Sequence, residues 1–279
     1  MADSNRQGGG SLLHGKVALV TGGGGGIGRG VARRFVREGA AVVVAEIDEA
    51  AGARTVEELR SELGGEAVFI RTDVGRKDDV LAAVQMAADR FGGLDILVNN
   101  AFAPTPEVLF EHKTDEMLQS CLNTGIWAAW WAMRAALPRF KARGGGQVVN
   151  FYSIDAQVGA WMHADYNIVK SALLGLTRSA AAEWGRFNVR VNAVAPTAAG
   201  AVFERLCREI PGFREASAAR KPLGRPGDPE NDIGPVVVFL ASEMSRYVTG
   251  ELINVDGGLH LPGYQSRPAN LAELEQQQP

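Results

Sequence analysis

Tyr166 and Lys170 stand four residues apart in a stretch with helical spacing. That spacing puts both side chains on one helix face, one turn from each other. A free tyrosine titrates near pH 10, so it is a poor base at neutrality. A neighbouring ammonium favours the phenolate and lowers that value, and a second cation nearby would act in the same direction. Lowering it by about three units takes roughly 4 kcal/mol, within reach of two cations in a partly dry site. The chemistry open to such a pair is proton transfer at an alcohol oxygen. Alone, the spacing also fits a surface tyrosine packed on a lysine stem. Two further residues give it weight. Ser153, 13 residues before Tyr166, ends a strand-like run and can hold a substrate oxygen. Asn123 sits in a long helical stretch beside Trp127, Trp130 and Trp131, where an amide needs a partner.

A second constellation lies near the N-terminus. Thr21 and the five glycines Gly22 to Gly26, then Ile27 and Gly28, join a strand-like run to a helix-like one. Glycines there allow a tight turn and a close backbone approach, and the helix start offers free N–H groups to a pyrophosphate. Such a run elsewhere in a chain reads as a flexible linker; the strand–turn–helix context decides for a dinucleotide site. Glu46 ends the next strand, 18 residues after Gly28. A carboxylate at that place accepts ribose hydroxyls and repels a 2′-phosphate, so NAD is expected over NADP. Arg29 is the residue that could argue otherwise. Asp73 and Val74, after the third strand, are candidates for the adenine end.

These residues need a frame to bring them together. Strand-like runs at 16–21, 40–46, 67–71, 96–100, 147–152, 189–195 and 251–255 alternate with helix-like runs at 27–38, 48–63, 77–91, 114–141, 163–184 and 229–242. Continuous apolar strands such as Val42-Val43-Val44 suit a sheet covered on both faces. The expected fold is α/β: one Rossmann-like, doubly wound domain over 13–262, with a seven-stranded, mainly parallel sheet. Residues 1–12 read as a disordered lead without a secretory signal, and 263–279 as a polar tail. Residues 196–227, rich in proline, read as an irregular lid over the substrate.

Taken together, these motifs resemble the short-chain dehydrogenase/reductase superfamily over nearly the whole chain, from Leu13 to Leu259. The resemblance implies a glycine motif at Thr21–Gly28 and a catalytic tetrad of Asn123, Ser153, Tyr166 and Lys170. It implies a cofactor edge at Asn99, Asn100 and Ala101, with Asn192, Pro196, Thr197 and Ala199 near the nicotinamide. Val255 to Gly258 match the family's last strand and turn. By that resemblance Tyr166 takes the alcohol proton, and Lys170 lowers its pKa and holds the nicotinamide ribose. Ser153 orients the oxygen, and Asn123 holds a relay water. Three positions depart from the pattern. Phe102 and Thr197 stand where the family usually has glycine, and Ala201 where it often has threonine.

The implied reaction is NAD-dependent interconversion of a secondary alcohol and a ketone. Phe102, Asp155, Trp161, His163 and Phe203 are expected to line the substrate site, with Leu206 and Phe213 in an apolar lid. A hydrophobic, cyclic or steroid-like substrate follows. An NADPH-dependent 3-oxoacyl-type ketoreductase and a non-enzymatic dinucleotide-binding regulator are the rival readings. Glu46 speaks against the first and the intact tetrad against the second. Composition is that of a soluble globular chain, with 46% hydrophobic and 22% charged residues, enough to build a large core. A net charge of −3 gives no footing for nucleic acid, and no apolar run has the length of a membrane span. The four histidines do not cluster and the two cysteines fit no metal spacing, so no metal is expected. A cytoplasmic homotetramer, with a dimer second, is the expected form, assembled through 235–240 and 251–255.

Overall fold

The computed structural model describes residues 11–261. The tail at 263–279 and most of the N-terminal lead lie outside the described residues. Leu12, assigned to the lead from sequence, already donates its N–H to Glu38 Oε2 at 3.3 Å.

Seven parallel strands form one sheet: β1 (Val17–Thr21), β2 (Ala41–Glu46), β3 (Ala67–Arg71), β4 (Ile96–Asn99), β5 (Gly146–Phe151), β6 (Val189–Pro196) and β7 (Leu252–Val255). Their order across the sheet is β3-β2-β1-β4-β5-β6-β7. The sheet is wholly parallel, so every connection is a crossover. The chain leaves β1 toward β2 on one side and returns to β4 on the other. That reversal opens a crevice at the carboxyl ends of β1 and β4, where ligands bind in such sheets.

Alternation along the strands builds two cores, one on each face. In β1, Ala18 and Val20 pack one way with Phe35 and Leu240. Val17 and Leu19 pack the other way with Val84, Met133 and Phe140. On the first face lie α1 (Gly26–Arg37), α2 (Glu49–Ser61) and α10 (Gly234–Ala241); on the second lie α3 (Lys77–Phe91), α5 (Ala128–Ala142) and α7 (Ala164–Trp184). Each fully buried Leu or Phe contributes roughly 1.5–3 kcal/mol, so these two cores carry most of the frame.

The structure corrects three sequence expectations. The helix at 114–141 is not continuous: α4 (Asp115–Leu122) runs into a π-helical turn at Asn123–Trp127 before α5 begins. The segment 229–242 likewise starts with a π turn at Pro229–Ile233. A π turn widens the helix by one residue and often marks a functional position; its signature is not a sequence periodicity. The segment 196–227 is not irregular throughout either. It contains α8 (Ala201–Glu209) and α9 (Phe213–Ala219). A short α6 (Ile154–Val158) follows β5.

Candidate active site

The glycine turn leaves β1 and enters α1 at the crevice. Gly22 has φ +67°, a left-handed conformation that side chains strain. Its N–H donates to Ala45 O at 2.8 Å, tying the turn to β2. Gly28 is required by closeness: a Cβ there would lie 2.1 Å from Gly22 O. Thr21, the first residue of the glycine motif, fixes the β4 edge. Its Oγ1 accepts the N–H groups of Asn100 (3.0 Å) and Ala101 (3.1 Å). Asn100 returns its amide to Thr21 O at 2.9 Å.

These segments border an open groove of about 550 Å³. Gly22, Gly26, Ile27 and Glu46 line one side; Asp73, Val74, Asn100 and Ala101 line the other. The groove fits a dinucleotide. It has a glycine cradle with little room for a Cβ at Gly22 and Gly28, a helix N-terminus, and a carboxylate held in place. Glu46 Oε2 accepts from Gly24 N–H (3.1 Å), and Oε1 accepts from Ile47 N–H (2.8 Å) and Asp48 N–H (3.2 Å). Arg29 does not line the groove, and its side chain is about 40% exposed. Its Nε donates to Glu58 Oε2 at 2.8 Å.

The far end of the groove differs from expectation. Pro196 closes β6, and Thr197 N–H is spent on Val255 O (3.0 Å). Ala199 N–H is spent on Gly227 O (2.8 Å), so Ala198 and Gly200, not Pro196, Thr197 or Ala199, line the groove. Asn192 is a buried residue inside β6, and its amide bonds Val248 O and Glu251 N–H. It is structural here.

Ser153, Tyr166 and Lys170 come together beside the groove, past the carboxyl end of β5. Ser153 caps α6, its Oγ accepting from Asp155 N–H at 3.2 Å. Tyr166 lies beside Ser153. Burial raises the Tyr166 pKa above its ordinary value; the Ser153 hydroxyl works against that rise, and the Asp155 charge adds to it. Expected lowering by Lys170 does not appear, for a visible reason. The Lys170 ammonium is itself buried, and its Nζ donates to Phe151 O at 2.7 Å. Burial pulls its pKa down to about 8. Asn123 opens the π turn, where its Oδ1 accepts from Gln119 Nε2 at 2.9 Å.

A second cavity, of about 650 Å³, opens in front of Tyr166. Phe102, Asp155 and His163 line it, as expected. Trp161 does not: it is 83% exposed. Phe203 lines the dinucleotide groove instead, packed on Phe213 at 5.7 Å between centroids, while Leu206 reaches the cavity. Thr105, Glu107, Lys113 and Asp165, which also line it, carried no sequence signal. His163 lies between Asp155 (3.2 Å) and Glu107 (3.4 Å). Asp165, next to Tyr166, is buried against Lys113 at 2.7 Å. It also accepts a hydrogen bond from the Thr105 hydroxyl and the Tyr166 N–H. Burial pushes the Asp165 carboxyl up. The hydrogen bonds from Lys113, Thr105 and Tyr166 N–H, with the Lys113 charge, outweigh it and hold the carboxyl below its usual range. This cluster ties the loop carrying Thr105 and Lys113 to the start of α7. Among the described residues no His, Cys, Asp and Glu group could hold a metal ion.

Known proteins share this frame. Residues 22–260 match the family model described as "Enoyl-(Acyl carrier protein) reductase". L-rhamnose 1-dehydrogenase (NAD(P)(+)) of Azotobacter vinelandii is 38% identical, over 89% of this chain and 98% of its own. A 12alpha-hydroxysteroid dehydrogenase of a Clostridium species is 35% identical, over 89% and 98%. Cis-4-hydroxycyclohexanecarboxylate dehydrogenase of Sinomonas cyclohexanicum is 36% identical, over 87% and 96%. A crystal structure from Sinorhizobium meliloti, whose name places it with the short-chain alcohol dehydrogenases, superposes with a TM-score of 0.83. It is 33% identical, over 90% of this chain and 98% of that one. The chain belongs to the short-chain dehydrogenase/reductase family.

Proposed function

We propose that the protein interconverts a secondary alcohol and a ketone with NAD(H), using Tyr166 as acid and base. The observation that carries this reading is the placement of Tyr166 on the cavity, with Ser153 beside it and Lys170 buried behind it. When bound, the oxidised dinucleotide supplies the acceptor for the hydride lost from the carbinol carbon. Tyr166 takes the hydroxyl proton in oxidation and returns it in reduction. Ser153 holds the substrate oxygen and stabilises its developing charge. Lys170 holds positive charge behind the phenol, and Asn123, on the open side of the π turn, is positioned for the outer end of a proton path.

NAD preference rests on Glu46. A carboxylate has roughly four acceptor positions; three backbone donors occupy Glu46 and fix it, leaving one for a ribose hydroxyl. A 2′-phosphate meets the same charge with repulsion, and Arg29 is committed to Glu58. The substrate is a cyclic alcohol with a hydrophobic, steroid-like face. Phe102, Pro104, Pro106 and Leu206 offer an apolar wall, while Glu107, Asp155 and His163 offer a polar one for further substituents. The names of three relatives point to rings: a sugar, a steroid and a cyclohexane. The proposed assembly is a homotetramer, supported by the half-buried edge strand β7 and by Trp127 and Trp130, exposed at the start of α5. Light scattering tests it. The proposed site of action is the cytoplasm; no helix of the described residues can cross a membrane.

A panel of cyclic secondary alcohols, offered with NAD and separately with NADP, tests the reaction by absorbance of the reduced nicotinamide. Tyr166→Phe is expected to lose about 10³-fold in kcat while keeping NADH affinity. Equal inactivity of wild type and Tyr166→Phe across the panel sinks the enzyme reading.

A further inference from the structure

Phe102 stands where the family usually has glycine, and its ring borders both the dinucleotide groove and the substrate cavity. The ring meets Tyr166 edge-on, with centroids 5.1 Å apart and planes at 73°. Lys170 Nζ lies 5.1 Å from the Phe102 centroid and 5.5 Å from that of Tyr166. Both distances fall within the range in which an ammonium is attracted to an aromatic face. An ammonium carries three donors, and among the described residues one hydrogen bond is made, to Phe151 O. The rings of Phe102 and Tyr166 stand beside the ammonium.

The backbone on either side of the ring is held. Ala101 N–H donates to Thr21 Oγ1 (3.1 Å) and Ala103 N–H to Thr124 Oγ1 (3.4 Å). Its seat is the π turn at Gly125, where a Cβ would lie 3.4 Å from the ring and 2.2 Å from Val169 Cγ1. The π turn and the phenylalanine therefore belong to one arrangement.

We propose that Phe102 is a positioning residue, whose ring excludes water from Lys170 and holds the ammonium against Tyr166 by the attraction of its face. The inference rests on Tyr166 and Lys170 as the reacting pair, but its test does not need turnover. The other titratable groups around this corner are few. Cys121 comes from α4, and burial pushes its thiol up. Tyr166 lies on α7 with Lys170, and Asp155 of α6 faces Tyr166. Asp165 is occupied by Lys113.

Two substitutions separate the two actions of the ring, because they have opposite signs. Phe102→Leu keeps the site dry but removes the aromatic face, so the charged form of Lys170 is disfavoured and its pKa falls. Phe102→Gly admits water, so the charged form is favoured and its pKa rises. The experiment is an NMR titration of the protein labelled with ¹³Cε-lysine, the Lys170 signal being identified by its loss in Lys170→Met. We expect the leucine variant to titrate about half a pH unit or more below wild type, the glycine variant above it, and Phe102→Tyr with it. A leucine variant titrating with wild type overturns the proposal, whatever the glycine variant does. Movement of leucine and glycine variants in one direction overturns it as well. Thermal melting checks that each variant folds, and the conservative leucine and tyrosine variants decide the matter if glycine does not. An alcohol panel without turnover would fail the enzyme reading and leave this titration readable on its own.

Discussion

The two halves of the site are held in different ways. Around the dinucleotide groove the contacts are made largely by backbone: Gly22 N–H on Ala45 O, Gly24 N–H on Glu46, and the Asn100 amide on Thr21 O. Around the substrate cavity they are made by polar and charged side chains: Lys113 on Asp165, and His163 between Asp155 and Glu107. Backbone N–H groups are present whatever the side chain, so the first half needs only small residues at the right places. Ion pairs need particular partners, and removing one leaves the other charged and buried. Damage to the first half should therefore appear as lost dinucleotide binding. Damage to the second should appear as lost stability and altered pH dependence.

The largest effect is expected in the glycine turn. Gly28→Ala places a Cβ 2.1 Å from Gly22 O, and neither backbone segment can move without opening the cradle. Calorimetric titration with NADH should show binding weakened by about 100-fold or more, on the order of 3 kcal/mol. Binding within about threefold of wild type would mean that the turn does not hold the pyrophosphate.

Asp165→Asn tests the other half. Asp165 and Lys113 are almost fully buried together, and breaking such a pair costs about 3–5 kcal/mol. Thermal or urea unfolding should show that loss, while NADH affinity stays near that of wild type. The pH dependence has a definite sign. The folded carboxyl titrates below its unfolded value, so its contribution is complete above about pH 4. It is lost as pH falls through the folded pKa. The wild type should lose stability in that window, and Asp165→Asn should lack that component. Matching acid limbs in the two proteins would remove Asp165 from the account.

The same contrast explains what was legible from sequence. The frame was, because apolar runs and helical spacing follow from covering a sheet on both faces. The glycine turn, Glu46, and the pairing of Tyr166 with Ser153 and Lys170 were too, because each is fixed by its place on a strand end or helix face. The Asp165 cluster was not: Thr105 and Asp165 lie 60 residues apart, and nothing local marks either. Nor were the π turns, which the helix pattern runs straight through. Trp161 and Phe203 were assigned to the cavity by nearness in sequence to Tyr166 and to the lid. Nearness does not fix direction: one points to solvent, and the other turns toward the groove. The expected lowering of the Tyr166 pKa counted the charge of Lys170 but not the burial of both groups.

A smaller effect sharpens that last point. Burial is the main cause holding the Tyr166 proton, and the charge of Asp155 adds to it. Asp155→Asn removes the charge while keeping the shape of α6, so the Tyr166 pKa should fall. Where Tyr166 is the base, the rise of kcat/KM for alcohol oxidation with pH should then begin at lower pH. The displacement should be less than about one pH unit, because Asp155 is partly exposed and its field is screened. Ketone reduction, which uses the protonated phenol, should begin to fail at lower pH by the same amount. Two limbs that move together identify Tyr166 as the titrating group. A shift confined to one direction of reaction would instead assign the effect to substrate contacts of Asp155 and His163.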